Sequence, residues 1–340
     1  LPEWWANSRV IFPPQQNLEQ ASGEEAARFK STLVGGGSLL DLTGGTGIDA
    51  FYLSENFEQV TVVEPVKELC ELIRHNFAVF DRRVEVVQSS AKNFLKSNHR
   101  MFDQIYVDPS RRTKSQQRIF DFKDYAPNIP ELMPLMLQKS SKILVKALPM
   151  IDLRMGCREL GGCRRVVTLA VRNEMKEILY DIERNLDERP VIHAVNLEGK
   201  RYEIFEFNQD NSHKSIPELS RPLGYIYEPN SAIRKAGLYD ELARVYRLKK
   251  LHPNTHLYTS QAFHQEYPGK IFGEVELIKQ DKKNIKQRFP NGLVNVISKN
   301  YPLGANELKK KYRLNDGGTE FLVFCEISHL GKTALVCTRK

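Results

Sequence analysis

The chain has 340 residues and a formal net charge of +8, and its composition, 41% hydrophobic and 27% charged, is that of an ordinary globular protein with room for two or three domains. Its apolar runs fall short of the roughly 18 residues that a membrane-spanning helix needs, and its first residues lack the apolar core of a secretory signal. Five scattered cysteines without a CxxC pair, and histidines without ligand spacing, predict reduced thiols, no metal and a cytoplasmic protein.

The first predicted element is a helix over residues 17–33. Ser22 and Glu25 have the spacing of a capping box, in which two side chains satisfy backbone N–H groups at the start of a helix. Phe29 and Leu33, four residues apart, are then expected on the buried face of this helix.

Short apolar runs alternate with helical stretches as far as about residue 207. The predicted strands are 38–42, 60–63, 84–88, 104–107, 143–147 and 165–171, followed by a closing hairpin of 191–195 and 202–207. Helices are predicted from Ile48 and over 66–80. This alternation predicts an α/β, Rossmann-like domain whose mainly parallel sheet is covered on both faces. Ligands of such sheets bind at the carboxyl ends of the strands.

The polar stretch 208–220 predicts a linker, after which the pattern indicates small α+β domains. The strands expected there are 224–228, 256–259, 271–278, 293–298, 321–327 and 333–338, with helices over 231–248, 282–289 and 306–314. Residues 210–340 contain 22 Lys and Arg against 13 Asp and Glu, whereas the rest of the chain contains 28 against 29. The basic excess therefore lies in this part, which favours binding to a polyanion.

The strongest motif is residues 39–49, which read LLDLTGGTGID. A strand runs into a turn with three glycines and then into a helix, so backbone N–H groups and the positive helix end can face a ligand. Glu64 ends the next strand about 20 residues later, where an acidic side chain can accept hydrogen bonds from ribose hydroxyls. The motif has neither the GxGxxG of dinucleotide sites nor the GK[ST] of a P-loop, which indicates a different nucleoside cofactor.

Asp41, the Gly-Gly-Thr-Gly turn and Glu64 together resemble the first motifs of class I S-adenosylmethionine (SAM) methyltransferases, and the resemblance extends over about residues 20–207. It implies SAM as cofactor, with Asp41 near the amino group, the glycine turn on the cofactor and Glu64 on the ribose. Ser90 stands where the family contacts the adenine, although Asp is commoner there. The implied cofactor-binding residues are Asp41, Thr43, Gly44, Gly45, Thr46, Gly47, Asp49, Glu64, Pro65, Ser90, Ala91, Asp108 and Pro109.

The fourth strand ends in Asp108-Pro109-Ser110-Arg111-Arg112, which resembles the DPPR and [ND]PP[YF] motifs of enzymes that methylate nucleic-acid bases. The resemblance implies Asp108 as the catalytic residue, but Ser and Arg replace the second Pro and the aromatic residue, which argues against amino-nitrogen methylation of adenine. Arg111 and Arg112 either clamp a substrate phosphate or pair with Asp121 or Asp124. Secondary candidates at the site are Tyr125, Lys146 and Lys176, and neither Cys157 nor Cys163 stands where a nucleophilic cysteine would.

The C-terminal part resembles bacterial methyltransferases with THUMP-like domains. The resemblance rests on residues 225–238 (YIYEPNSAIRKAGL), Pro302-Leu303 and Lys309–Arg313 ahead of Gly317-Gly318. It implies a methyltransferase domain over 1–209, a linker over 210–220, a ferredoxin-like segment over 221–268 and a THUMP-like RNA-binding domain over 269–340. The phosphate contacts that it implies are Lys309, Lys310, Lys311 and Arg313, with Lys282, Lys283, Lys286 and Arg288.

We therefore predict a SAM-dependent methyltransferase that acts on RNA, either tRNA or rRNA, with a basic C-terminal module that presents the substrate. Two alternatives stay open at this point. The first is a methyltransferase for a small molecule or a protein, and the second is an RNA-binding protein that keeps SAM as a structural ligand. The sequence does not predict the base, the methylated atom or the oligomeric state.

Overall fold

The computed structural model describes residues 1–111, 121–184, 189–199, 201–208 and 217–340, without the side chains of Gln16, Gln20 and Arg111. The predicted Arg112 contact and much of the predicted linker lie outside these residues. The chain divides into two compact units. Of the described residues, the first unit contains 1–202 and 206–208, and the second contains 203–205 and 217–340. The predicted boundaries between domains stay predictions. Among the described residues, none of the helices combines the length and the hydropathy required to cross a bilayer.

The first unit has an α/β architecture. Its helices are α1 (Pro2–Trp5), α2 (Gln15–Gln20), α3 (Glu24–Ser31), α4 (Ile48–Leu53), α5 (Lys67–Val79), α6 (Ala91–Ser97), α7 (Ile129–Lys139) and α8 (Leu153–Glu159). Its strands are β1 (Gly36–Asp41), β2 (Phe57–Glu64), β3 (Glu85–Gln88), β4 (Gln104–Val107), β5 (Ser110–Arg111), β6 (Tyr125–Ala126), β7 (Lys142–Ala147), β8 (Arg165–Val171), β9 (Glu174–Glu183), β10 (Val191–Glu198) and β11 (Arg201–Asn208).

Nine of these strands form one sheet in the order β11-β10-β8-β9-β7-β4-β1-β2-β3. The pairs from β3 to β7 are parallel, which confirms the predicted fold class. On one face of the sheet, Phe29 of α3, Phe51 of α4 and Phe77 of α5 belong to a buried apolar core. Because these strand pairs are parallel, the carboxyl ends of β1, β2, β4 and β7 lie at the same edge of the sheet. The predicted motifs follow these strand ends.

Strand β9 was not predicted. It runs antiparallel between β7 and β8, and a two-residue turn at Arg172 and Asn173, both with positive φ, connects it to β8. Such turns match the twist of neighbouring strands. The first residues of β9, from Glu174 to Glu177, are mostly charged, which hid the strand in the sequence.

The predicted helix over 17–33 is two helices, α2 and α3, separated by residues 21–23. The predicted capping box is wrong, because the N-cap of α3 is Gly23 and the side chain of Ser22 points to buried charged groups instead. Glu24 and Glu25 remain in the first turn of α3, where negative charge favours the helix dipole.

The second unit is a seven-stranded sheet with helices. Its strands are β12 (Tyr225–Pro229), β13 (Lys249–His252), β14 (Thr255–Ser260), β15 (Gly269–Ile278), β16 (Asn295–Lys299), β17 (Glu320–Ile327) and β18 (Gly331–Arg339). Its helices are α9 (Ser231–Ala236), α10 (Tyr239–Val245), α11 (Lys282–Arg288) and α12 (Ala305–Tyr312). The sheet order is β13-β14-β12-β15-β18-β17-β16, so the β12–β15 pair joins the two predicted C-terminal segments in one sheet. Gly237, with φ of 70°, splits the helix predicted over 231–248.

Candidate active site

The glycine turn after β1 is packed against β2 and α5. A Cβ at Gly44 would lie 2.5 Å from Val62 Cγ1 and 3.1 Å from Ile73 Cδ1, so a larger residue does not fit there. Gly47 has φ of 78°, and a Cβ on it would lie 2.8 Å from Ile73 Cγ1. Both glycines therefore allow the close approach that this turn requires.

Glu64 connects the carboxyl end of β2 to the glycine turn. Its Oε2 accepts a hydrogen bond from the Gly45 N–H at 2.8 Å, and its Oε1 accepts one from the Val66 N–H at 2.9 Å. Burial raises the pKa of Glu64, and these two hydrogen bonds oppose the rise. Each carboxylate oxygen keeps a second lone pair, so Glu64 retains acceptor capacity for a ligand.

Asp41 is buried at the carboxyl end of β1. Its Oδ1 accepts a hydrogen bond from the Thr43 N–H at 2.9 Å. Burial, with the nearby carboxylates of Asp49 and Asp108, raises the pKa of Asp41 to about 8. The Thr43 hydroxyl accepts a hydrogen bond from the Asp108 N–H at 2.7 Å, which ties the end of β1 to the end of β4.

The predicted adenine contacts lie after β3. Ser90 is the N-cap of α6, where its hydroxyl accepts a hydrogen bond from the Asn93 N–H at 3.3 Å, and Ala91 is buried. The Ser89 N–H donates to the Glu64 carbonyl at 3.2 Å, which brings this loop to the end of β2. Of the remaining predicted cofactor contacts, Thr46 is half-buried and Pro65 is exposed.

Five charged side chains, from α3, α4, β7, β9 and the loop after β4, meet beneath the strand edge, and we refer to them as the ion cluster: Lys30, Asp49, Asp108, Lys146 and Glu177. Lys30 is fully buried, and its Nζ lies 2.9 Å from both Asp49 Oδ1 and Glu177 Oε1. Lys146 Nζ donates to Asp108 Oδ2 at 2.6 Å and lies 3.6 Å from Asp49 Oδ2. The sequence analysis did not identify Lys30 or Glu177 because no local motif marks them.

Asp49, a predicted cofactor contact, is instead directed into this cluster. Its Oδ2 accepts hydrogen bonds from the Tyr106 hydroxyl at 2.7 Å and from the Ser22 hydroxyl at 3.0 Å. Burial alone would raise the pKa of Asp49, but Lys30 and Lys146 hold it below its ordinary value. Asp49 is therefore bound by Tyr106, Ser22 and the two lysines of the cluster.

Lys146 and Asp108 form the end of the cluster that reaches the strand edge. Burial favours a neutral Lys146, but Asp108, Asp49 and Glu177 outweigh it and raise the pKa of the ammonium group. Burial raises the pKa of Asp108, and Lys146 opposes that rise. The side chain of Asp108 is 32% exposed and that of Lys146 is 12% exposed. Asp108 is thus the member of the cluster most open to a substrate.

The residues after Asp108 form a short strand pair rather than a stacking surface. Ser110 of β5 pairs with Ala126 of β6, and the Ser110 hydroxyl donates to the Ala126 carbonyl at 3.3 Å. Tyr125 is 1% exposed, so its ring faces the interior. Lys176 lies away from this site and pairs with Glu174 at 2.9 Å.

The predicted phosphate contacts of the C-terminal part fall into two groups. Lys309 pairs with Asp316 at 2.7 Å, and Arg288 pairs with Glu276 and Glu320. The others are exposed on α11, α12 and the C-cap of α12, and they make no ion pair with the described residues. We call this second group the basic surface, and it consists of Lys282, Lys283, Lys286, Lys310, Lys311 and Arg313. In the described part of the chain, no cluster of three or more His, Cys, Asp or Glu could hold a metal ion.

The comparisons with known proteins identify the class. A ferredoxin-like domain model matches residues 225–268, and a THUMP domain-like model matches residues 269–339. A solved structure described as a "putative methyltransferase" from Porphyromonas gingivalis W83 is 32% identical, with a TM-score of 0.91, over 100% of this chain and 86% of that one. The fold is that of a class I methyltransferase, the class that uses SAM as its methyl donor. The chain belongs to the family of the Porphyromonas protein, in which ferredoxin-like and THUMP-like segments follow the methyltransferase fold.

More distant structures resemble parts of the chain. A "putative RNA methyltransferase" from Pyrococcus horikoshii is 20% identical, covers 54% of this chain and 96% of its own, and has a TM-score of 0.37. Mycoplasma capricolum TrmK with S-adenosylhomocysteine is 13% identical, covers 49% and 70%, and also has a TM-score of 0.37. These similarities are too weak to support an argument. None of the curated proteins matches the chain significantly.

Proposed function

We propose that the protein transfers the methyl group of SAM to RNA, either tRNA or rRNA. The observation that carries this proposal is the combination of a methyltransferase fold with a C-terminal THUMP domain-like region whose basic surface makes no ion pair with the described residues. SAM arrives with an activated methyl group, so the protein has only to bind it, orient the acceptor and accept a proton.

The described residues at the strand edge fit SAM chemically. Glu64 offers free lone pairs to ribose hydroxyls beside the Gly45 N–H. Asp41 provides a buried carboxyl group for the amino group of the amino-acid end. Gly44 and Gly47 let the turn pack closely against Val62 and Ile73, which holds its backbone in a tight conformation beside Glu64. Asp108 is the proposed catalytic residue, since it is the most exposed member of the ion cluster.

The basic surface supports an RNA substrate. Ile285 of α11 and Leu308 of α12 lie in one apolar core with Leu322 of β17, so both helices cover the same face of the sheet. Their exposed lysines therefore belong to one side of the second unit. Cations that neutralise phosphates release counterions from RNA, which gives affinity without sequence specificity. We propose that this side contacts the backbone of the substrate RNA.

The test is transfer of labelled methyl from SAM to total RNA isolated from cells that lack the protein. We expect label in a discrete RNA, and Glu64→Gln should weaken SAM binding in calorimetry and lower the transfer. Glu71→Gln is the matched control, because Glu71 is an exposed residue of the following helix. SAM binding without label in RNA would contradict the proposal. Label in a protein or a small molecule would identify that molecule, and not RNA, as the substrate.

A further inference from the structure

The ion cluster has one accessible end and one closed end. Lys30 and Glu177 are at most 4% exposed, whereas the side chain of Asp108 is 32% exposed. Oδ2 of Asp108 is bound by Lys146, and its Oδ1 accepts no hydrogen bond from the described residues. An acceptor atom that reaches Asp108 therefore meets a free carboxylate oxygen with an ammonium group beside it.

We propose that the methylated atom is a hydroxyl oxygen, the 2′-hydroxyl of a ribose in RNA, and that it binds against the free Oδ1 of Asp108, with the Lys146 ammonium beside it. The inference rests on the proposed function and specifies its acceptor. It assigns Lys146 a direct part in catalysis, and it makes Lys30, Glu177 and Ser22 positioning residues that hold Lys146 in place.

The charge of Lys146 discriminates between acceptor types. A hydroxyl oxygen gains negative charge as its proton leaves, and a fixed ammonium group stabilises that charge in a site from which water is largely excluded. A neutral amine gains positive charge as it takes up a methyl group, and an ammonium a few ångströms away opposes it. Lys146 remains a cation because Asp108, Asp49 and Glu177 surround it. The fixed ammonium of Lys146 therefore favours an oxygen acceptor.

The proposed step balances with these groups alone. The hydroxyl oxygen forms the new bond to the methyl carbon, and the carbon–sulfur bond of the donor breaks with its electron pair left on sulfur. The hydroxyl proton passes to Asp108, from which it returns to solvent. Because burial raises the pKa of Asp108, this carboxylate accepts a proton more readily than an exposed one.

The surroundings of Asp108 are poorly suited to a flipped base. Base-modifying enzymes hold an extruded base by stacking on exposed aromatic side chains. Tyr106 and Tyr125, on the strands next to Asp108, are each 1% exposed, and the Tyr106 hydroxyl is bound to Asp49. Among the described residues after Asp108, Pro109 and Ser110 offer no aromatic face. A ribose hydroxyl needs no such platform, because it lies at the outside of the RNA backbone.

Lys146 is held by groups that reach it from distant parts of the chain. The Ser22 hydroxyl accepts a hydrogen bond from Lys146 Nζ at 3.1 Å, and Glu177 Oε2 lies 3.9 Å away. Lys30 in turn binds both oxygens of Glu177, at 2.9 and 3.0 Å. This arrangement fixes the ammonium beside Asp108, as preorganised electrostatic catalysis requires.

The experiment analyses the product that the full-length protein forms with labelled SAM and total RNA. After digestion to nucleosides, we expect the label in a 2′-O-methylated nucleoside. A synthetic RNA with a single 2′-deoxy substitution at the mapped position should accept no label. Label on a base would overturn this inference and leave the proposed function standing. An absence of label from every RNA would overturn both.

A lysine series tests the part played by Lys146. Lys146→Met should lower methyl transfer by about 10²–10³-fold, the range for removing one group that stabilises developing negative charge, and leave SAM affinity in calorimetry unchanged. Lys146→Arg keeps the charge and should restore part of the rate. Lys142→Met is the matched control, since Lys142 is exposed on the same strand. Full activity of a folded Lys146→Met variant would overturn the catalytic role of Lys146. If that variant fails to fold, the product analysis of the unmodified protein still tests the oxygen acceptor.

Discussion

The hydroxyl of Ser22 accepts a hydrogen bond from Lys30 Nζ at 2.6 Å and thereby links the segment before α3 to the buried charges of the ion cluster. The same hydroxyl accepts from Lys146 at 3.1 Å and donates to Asp49 at 3.0 Å. A hydroxyl has one donor and two lone pairs, so all of its hydrogen-bonding capacity is used. Ser22 is therefore the common neighbour of both lysines of the ion cluster.

This relationship predicts a large effect from a small substitution. Ser22→Ala leaves two buried ammonium groups without one of their acceptors and Asp49 without one of its donors. We expect the free energy of unfolding to fall by about 1–3 kcal/mol, as measured by urea denaturation. Ser97→Ala is the control. It removes an exposed hydroxyl of α6 and should change the free energy of unfolding by less than about 0.5 kcal/mol. Equal effects of the two substitutions would contradict the role given to Ser22.

The sequence analysis failed at Ser22 for a physical reason. A Ser followed three residues later by Glu matches a capping box locally, but the competing partners of the hydroxyl come from α4 and β7, far along the chain. Lys30 and Glu177 were missed for the same reason, since they are 147 residues apart in sequence and meet only in the folded protein. Spacing within one segment cannot reveal a cluster assembled from five separate parts of the chain.

Other features could be predicted because their signals are local. The parallel strands from β1 to β7 follow from apolar runs between helices, and the glycine turn follows from a strand, three glycines and a helix in succession. Strand β9 could not be recognised from its charged first residues. Asn173, in the turn between β8 and β9, is nevertheless a residue type that favours such turns. The sequence analysis placed Glu64 at the end of β2 from its distance to the glycine turn. The hydrogen bond that Glu64 accepts from the Gly45 N–H explains why an acidic residue at that distance lies beside the turn.

The glycine turn provides a second prediction. An added Cβ at Gly44 collides with Val62 and Ile73, which both lie in the buried core, so neither can yield without repacking. Gly44→Ala should lower the free energy of unfolding by about 1–3 kcal/mol and weaken SAM binding, measured by urea denaturation and calorimetry. Gly35→Ala is the control, because a Cβ there meets only Asn56 at 3.8 Å, an ordinary contact, and Gly35 is exposed outside the helices. Normal stability and SAM affinity in Gly44→Ala would refute the tight fit.

The buried carboxyl of Asp41 predicts proton release on cofactor binding. With a pKa of about 8, Asp41 is mostly protonated at pH 7 in the free protein. A cationic amino group beside it favours the carboxylate and lowers that pKa, so binding expels a proton. The affinity for SAM should therefore rise with pH up to about pH 8, where the free carboxyl has already ionised.

Calorimetry in buffers of different ionisation enthalpy counts the released protons. We expect release at pH 7 in the unmodified protein and none in Asp41→Asn, whereas Asp124→Asn, an exposed residue, should behave like the unmodified protein. A pH-independent affinity together with no proton release would contradict the proposed contact between Asp41 and the amino group.

The basic surface allows a test with neighbouring lysines of one helix. Lys310 and Lys311 are exposed on α12 and form no ion pair with the described residues, whereas Lys309 on the same helix is bound to Asp316 at 2.7 Å. A lysine that neutralises a phosphate contributes about one unit to the slope of log affinity against log salt. We expect the double substitution Lys310→Gln and Lys311→Gln to reduce this slope by about two in RNA-binding titrations. Lys309→Gln should change it less, because its charge is already neutralised within the protein. An unchanged slope in the double variant would place the RNA contact on another surface.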